Sequence, residues 1–184
     1  FGTAQANATL GQSYVYADAG AQLPSYALLG EYGNGGATST GPVEYVWLPL
    51  ESGDAMPIGI FQNAKLYAVH SDHLNTPRLI TGSASQPVWQ WPYSAFGDNQ
   101  PSGILSPTGA SSSPELVYNL RFPGQYQDDE AGLFYNYFRT YQPSQGRYTQ
   151  GDPIGLAGGL NRFGYVEGNP LLFTDPLGLE AYNG

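Results

Sequence analysis

Two aspartates head the same pentapeptide. Asp-Pro-x-Gly-Leu runs from Asp152 to Leu156 and again from Asp175 to Leu179, with 18 residues (157–174) between the copies. The chain has no Cys and only two His, so carboxylates are its best candidates for acid–base work. Two carboxylates held a few Å apart do not both ionise easily. They share a proton, and one can then act as base on a water while the other acts as acid toward a carbonyl or leaving amide. Such a pair titrates as a unit, so the sequence assigns neither role. The pentapeptide is also ordinary turn chemistry: Asp accepts local N–H bonds, Pro153 and Pro176 fix φ, and Gly155 and Gly178 allow positive φ. The two readings are compatible, because a rigid turn is a good mount for a working carboxylate.

Other clusters carry weaker signals. "HSDH" (His70–His73) offers His70, Asp72 and His73 as ligands, but no third imidazole exists to join them, and we expect no metal there. The structural alternative is that these side chains satisfy backbone groups in the turn before "TPR". "QDDEAG" (Gln127–Gly132) lacks the spacing of a calcium loop and reads as a solvated turn. Trp47, Trp89 and Trp91 read as packing rather than a sugar platform. We expect no cofactor.

Composition excludes several classes. There are 15 Asp+Glu against six Lys+Arg, a net charge of −9. Without clustered basic groups, nucleic-acid or anionic-membrane binding is not expected. No apolar run approaches the roughly 18 residues that cross a bilayer, and no signal peptide is visible. The absence of Cys excludes disulfides and leaves the compartment open. The chain opens at Phe1 without Met, so we expect a fragment or a processed product.

The elements that must position the aspartates read as β. Gly (25) and Pro (15) punctuate 184 residues that hold 15 Tyr, a composition for short strands joined by turns. Residues 1–13 are small and polar and read as a frayed or linker segment. Residues 14–97 read as hairpins: "YVY", "PVEYVWLPL", "AKLYAVHSDH", "TPRLITG" and "PVWQWPYSAFG" alternate at period two between turn residues. Residues 98–114 are a Pro/Ser/Gly-rich loop. Residues 115–179 read as the core with the two pentapeptides: "LVYNLRFPGQYQDDEAGLFYNYFRTYQPSQGRYTQ" (Leu116–Gln150) holds two or three more strands, and "GLNRFGYVEGNP" (Gly159–Pro170) holds one short helical turn. Residues 180–184 form a tail. The recurrence of a Tyr-rich strand, a turn and a strand predicts a mainly β fold of stacked hairpins ending in an irregular C-terminal plug.

These stretches resemble a known family. "YVYADAG…LLGEYGNGG" is similar to a YD repeat. "EYVWLPL", "YAVHSDHLNTPRLITG", "VWQWPYSAFGD", "NLRFPGQYQDDEAGLFYNYFRTYQPSQGRYTQGDPIGLAGGLNRFGYVEGNP" and "TDPLGL" together resemble the Rhs repeat-associated core domain, from about Tyr14 to Leu179. Several independent motifs occur in the family's order. The resemblance implies a β-sheet shell closed at one end by this core, with a toxin following the second pentapeptide and retained inside after the chain is cut. It nominates Asp152 and Asp175 as an aspartic autoprotease pair, Arg139 in "NYFRTY" as their support, and Leu179–Glu180 as the bond cut once, in cis. Leu156, Pro153, Gly155, Pro176 and Gly178 complete the motifs. Arg147 and Arg121 are alternatives to Arg139. The implied partners are the rest of the shell, the C-terminal toxin, an immunity protein reached through the toxin, and a secretion spike protein. The implied route is synthesis in the bacterial cytoplasm and export as a secreted effector, as in type VI secretion. The family's long shell and toxin lie outside these 184 residues, since only "EAYNG" follows Leu179. Two further readings compete: a catalytically silent plug with the same fold, and a surface carbohydrate- or protein-binding β module using the Tyr and Trp faces.

Overall fold

A computed structural model describes residues 12–18, 22–33, 41–103 and 114–183. Most of the expected frayed segment (1–11) and much of the expected loop (104–113) lie outside the described residues. Seven strands follow one another as an antiparallel meander: β1 (Gln12–Tyr16), β2 (Leu28–Gly33), β3 (Val43–Pro49), β4 (Ala55–Gln62), β5 (Lys65–Ser71), β6 (Pro77–Thr81) and β7 (Pro87–Gln90). A second, four-stranded antiparallel sheet holds β8 (Tyr126–Asp128), β9 (Leu133–Asn136), β10 (Arg139–Gln142) and β11 (Arg147–Tyr148) in the order β11-β10-β9-β8. A last short pair joins β12 (Phe173–Thr174) to β13 (Tyr182–Asn183). The fold is mainly β, as the alternation predicts.

Local chemistry explains the turns. β4 and β5 meet through Asn63 and Ala64, both at positive φ, as a two-residue hairpin with the right-handed strand twist requires. Between β5 and β6 the Asp72 carboxylate accepts the N–H groups of Leu74 (2.9 Å) and Thr76 (3.0 Å) and pairs with Arg78 at 2.9 Å. His70 instead meets Thr81, and His73 meets the Leu171 carbonyl. "HSDH" is therefore turn chemistry. Asp128 likewise accepts the N–H groups of Glu130 and Ala131 in "QDDEAG".

Two stretches differ from the period-two reading. Residues 55–62 show no clean alternation because Pro57 and Gly59 interrupt them, yet they form β4. The ladder shifts register there, with Val46 opposite Gly59 and Trp47 opposite Pro57, so Ile58 bulges out and Pro57 is accommodated. Conversely, Leu116, Tyr118, Leu120 and Phe122 alternate inward but belong to no strand, and only Leu120 makes a bridge, to Tyr126. Their spacing reflects burial without a ladder partner. Within 159–170, where a helical turn is expected, the chain makes a tight turn at Val166–Gly168 with all three residues at positive φ, so it winds left-handed; 3₁₀ turns lie at Pro143–Gln145 and Gly155–Gly158.

One apolar core joins both sheets. Ile60, Ile80, Val88 and Trp89 pack with Tyr118 and Phe122, then with Phe134, Tyr141, Tyr148 and Tyr165. The rings touch in sequence: Trp91–Phe122 at 5.2 Å, Phe122–Tyr165 at 5.6 Å, Tyr165–Tyr141 at 4.7 Å and Tyr141–Tyr148 at 5.9 Å. Each such ring removes about 150–250 Å² from water. The aromatic run ends at Tyr148, which faces the second Asp-Pro motif. Trp89 and Trp91 are buried and Trp47 donates its indole N–H to Leu28 O, so all three pack within the protein.

Candidate active site

Three strands and two turns converge on one buried cluster. β10 supplies Arg139 at its first residue. Its side chain is buried, as are those of Asp152 and Asp175. One guanidinium nitrogen (Nη1) lies 3.0 Å from Asp152 Oδ2 and the other (Nη2) lies 3.0 Å from Asp175 Oδ2. The same guanidinium donates from Nε to the Gly178 carbonyl and from Nη1 to the Arg162 carbonyl at 3.3 Å. Arg139 therefore meets four acceptors with its five N–H groups, and it ties both pentapeptides together. Its charge lies between the carboxylates, so guanidinium compensation takes the place of the simple proton sharing expected from two bare aspartates.

The first motif is held by its neighbourhood. Asp152 N–H donates to Arg162 O at 2.8 Å, Arg162 Nη2 returns to Asp152 O at 2.9 Å, and Ile154 N–H donates to Asp152 Oδ1 at 3.0 Å. Gly155 sits at φ +69° and closes a turn onto Asp152 O. Pro153 and Leu156 are exposed, which leaves turn geometry as their contribution.

The second motif is clamped harder. Asp175 Oδ1 accepts the N–H of Leu179 at 2.8 Å, while Oδ2 accepts the Tyr148 hydroxyl at 2.8 Å. Asn136 bonds both the Tyr148 hydroxyl (2.7 Å) and Asp175 O (3.0 Å). Phe138 N–H meets Leu177 O at 3.1 Å. Gly178, at φ +69°, leaves no room for a side chain, since a Cβ would lie 2.6 Å from Asn136 O. Gly124, at φ +79°, presses more closely still, since a Cβ there would lie 1.9 Å from the Pro176 carbonyl oxygen. Burial pushes the Asp175 carboxyl above its ordinary range. The Tyr148 hydroxyl, the N–H groups of Leu179 and Glu180, and Arg139 favour its charged form and oppose that shift. Burial likewise drives the Tyr148 hydroxyl upward, reinforced by Asp175, so it stays a donor.

Leu179 and Glu180 follow immediately. A cleft of about 600 Å³ is lined by Arg139, Gly158, Asp175, Leu179 and Ala181 among others, so the bond between Leu179 and Glu180 borders open space. Beyond it β13 pairs back onto β12, with Thr174 opposite Tyr182. The Asp175–Ala181 loop is thus held at both ends.

Arg147 and Arg121 do not join the cluster. Arg147 is exposed and bonds Gln145. Arg121 is buried, bonds Gln127 and two carbonyls, and stacks near Trp89, Trp91 and Phe134; burial lowers it to about 10. Among the described residues, no group of three or more His, Cys, Asp or Glu comes together to hold a metal ion, and no helix is long and apolar enough to cross a membrane. Tyr148, Asn136 and Arg162 complete the site and were not singled out by the sequence. Tyr148 had one cue, its place four residues before Asp152.

The fold and the site define a class: an antiparallel β-hairpin module whose C-terminal turns carry a buried Arg–Asp–Asp cluster. No protein-family model matches the chain. It is 38% identical over 116 residues to the double-stranded DNA deaminase toxin A of Burkholderia cenocepacia, covering 63% of this chain and 8% of that protein. It is 39% identical over 116 residues to the toxin protein Tse5 of Pseudomonas aeruginosa, with the same two shares, and 41% identical over 112 residues to the probable deoxyribonuclease RhsB of Dickeya dadantii (60% and 7%). The crystal structure of TcdB2-TccC3-TEV superposes with a TM-score of 0.61 at 20% identity, over 91% of this chain and 8% of that one, a likeness of fold. The chain matches the Rhs core region of these relatives, which support a component of an Rhs-type polymorphic toxin. The chain spans less than a tenth of the length of these proteins.

Proposed function

We propose that this core cuts its own backbone once, between Leu179 and Glu180, using Asp152 and Asp175 held by Arg139. One observation carries the reading: a single buried guanidinium binds both carboxylates, and one of those carboxylates also binds the N–H of Leu179, the residue at the cut. Asp175, whose hold on a proton burial strengthens, takes the acid role in this reading, and Asp152 takes the base role. Water adds to the Leu179 carbonyl carbon and gives a proton to Asp152. The carbon–nitrogen bond breaks as Asp175 gives its proton to the Glu180 nitrogen. One water is consumed, leaving a carboxyl on Leu179 and a free amino group on Glu180. The reacting bond is tethered beside its catalyst, so proximity replaces substrate binding and the domain turns over once.

In the whole protein, residues 14–97 serve as hairpin wall and residues 115–179 as the core that closes it. The cut separates a C-terminal toxin that stays with the shell until export. The remaining partners are an immunity protein met through the toxin and a secretion spike protein. The silent plug is the competing reading, favoured by the backbone bonds that each aspartate makes in its turn. It does not account for Arg139 engaging both. Intact mass of the chain with a short reporter fused after Gly184, beside Asp152→Asn and Asp175→Asn, separates them. Loss of everything after Leu179 in the wild type alone supports autoproteolysis; three whole chains leave the plug.

A further inference from the structure

Gly158 ends the 3₁₀ turn that begins inside the first motif at Gly155. Its φ is not in the left-handed region, so its backbone would accept any residue. The space beside it would not. A Cβ at position 158 would lie 2.5 Å from Asp152 Oδ2 and 2.7 Å from the Leu179 carbonyl oxygen. Those two oxygens therefore flank one face of Gly158, no farther apart than the sum of these distances. The Asp152 oxygen concerned is the one paired with Arg139, and Leu179 is held from its other side by Asp175 Oδ1. Gly158 also lines the cleft that reaches Arg139 and Asp175. The motif's own glycines answer to a different need, since Gly155 and Gly178 both sit at positive φ.

We infer that Gly158 is a positioning residue: its missing side chain is what lets the carbonyl of Leu179 seat beside the Asp152 carboxylate, and so selects this bond for cutting. This rests on the autoproteolytic reading above. A side chain there must displace either a backbone carbonyl or a catalytic carboxylate, and a misplacement of about 1 Å can cost on the order of 100-fold in rate.

The test is the cleavage rate of the chain carrying a reporter after Gly184, in wild type, Gly158→Ala and Ala157→Ser, with thermal unfolding measured on each. Ala157 is exposed in the same turn. We expect Gly158→Ala to cut on the order of 100-fold more slowly at temperatures where the chain is still fully folded, with some loss of unfolding temperature from the collision, while Ala157→Ser cuts as wild type does. A purely structural glycine would slow the cut only in proportion to the fraction of chain unfolded. If Gly158→Ala cuts at the wild-type rate, this inference is wrong and autoproteolysis stands. If the wild type itself stays whole, both fall. A second measurement needs no change at 158. In the Asp175→Asn protein, the Leu179 carbonyl labelled with carbon-13 should shift when Asp152→Asn is added, and an unmoved resonance overturns the placement.

Discussion

The guanidinium carbon of Arg139 lies over the Tyr148 ring, 3.6 Å from its centroid. The same tyrosine donates its hydroxyl to Asp175. One side chain thus supports the cation by its face and a carboxylate by its edge. Tyr148→Phe keeps the face and deletes the donor. A hydrogen bond to a charged group contributes about 1.5–3 kcal/mol, so urea unfolding should show a loss of that order and the cut should slow. Tyr148→Ala removes the face as well and should cost about 3–5 kcal/mol.

Arg139 compensates two buried charges at once. Arg139→Met should therefore destabilise the fold by about 3–5 kcal/mol, since it leaves those carboxylates unpaired. Adding Asp152→Asn and Asp175→Asn should restore much of that loss, because the uncompensated charges go with it. Arg139→Lys should not rescue cleavage, because a point charge cannot bridge two carboxylates as a planar fork does. Denaturation curves of the wild type, Arg139→Met and the triple variant check the first two statements, and intact mass of Arg139→Lys checks the third.

Two buried carboxylates set a pH dependence. Burial raises Asp175 above its ordinary 3.8, and raises Glu31 above 4.5 despite donors from Tyr45, Tyr126 and Gln12. The folded state then binds these protons more tightly than the unfolded state. Their contribution to stability is fully present below the ordinary values and is lost as pH rises through the raised ones. Unfolding free energy measured from pH 3 to about 8 should show this fall, and Glu31→Gln and Asp175→Asn should each flatten it. Cleavage should run the other way at the acid end, losing rate once both aspartates carry protons.

Gly124 is far from the pentapeptides in sequence but packs on the second one. Gly124→Ala meets both a positive φ and the Pro176 carbonyl. It should cost more than about 1 kcal/mol from the backbone alone, with a further penalty from the collision. The unfolding temperature should drop, and the cut should be lost with the displaced loop.

The repeated Asp-Pro-x-Gly-Leu, the absence of Cys and the Tyr-rich alternation are local properties, and they determined the mainly β class and most strands of the first sheet, and marked the two pentapeptides as turns. The resemblance nominated both aspartates as a pair and added Arg139 and the bond after Leu179. Residues 55–62 escaped the alternation because a bulge absorbs Pro57, and residues 116–122 mimicked a strand because burial alone can impose period two. Only the tertiary structure decided which arginine meets the aspartates, that Tyr148 and Asn136 hold Asp175, and that Gly158 and Gly124 must lack side chains. Those contacts join residues whose separation in the chain is set by intervening turns, such as the 36 positions between Arg139 and Asp175. No local propensity encodes such pairings, because they are fixed by how the aromatic core stacks one sheet against the other.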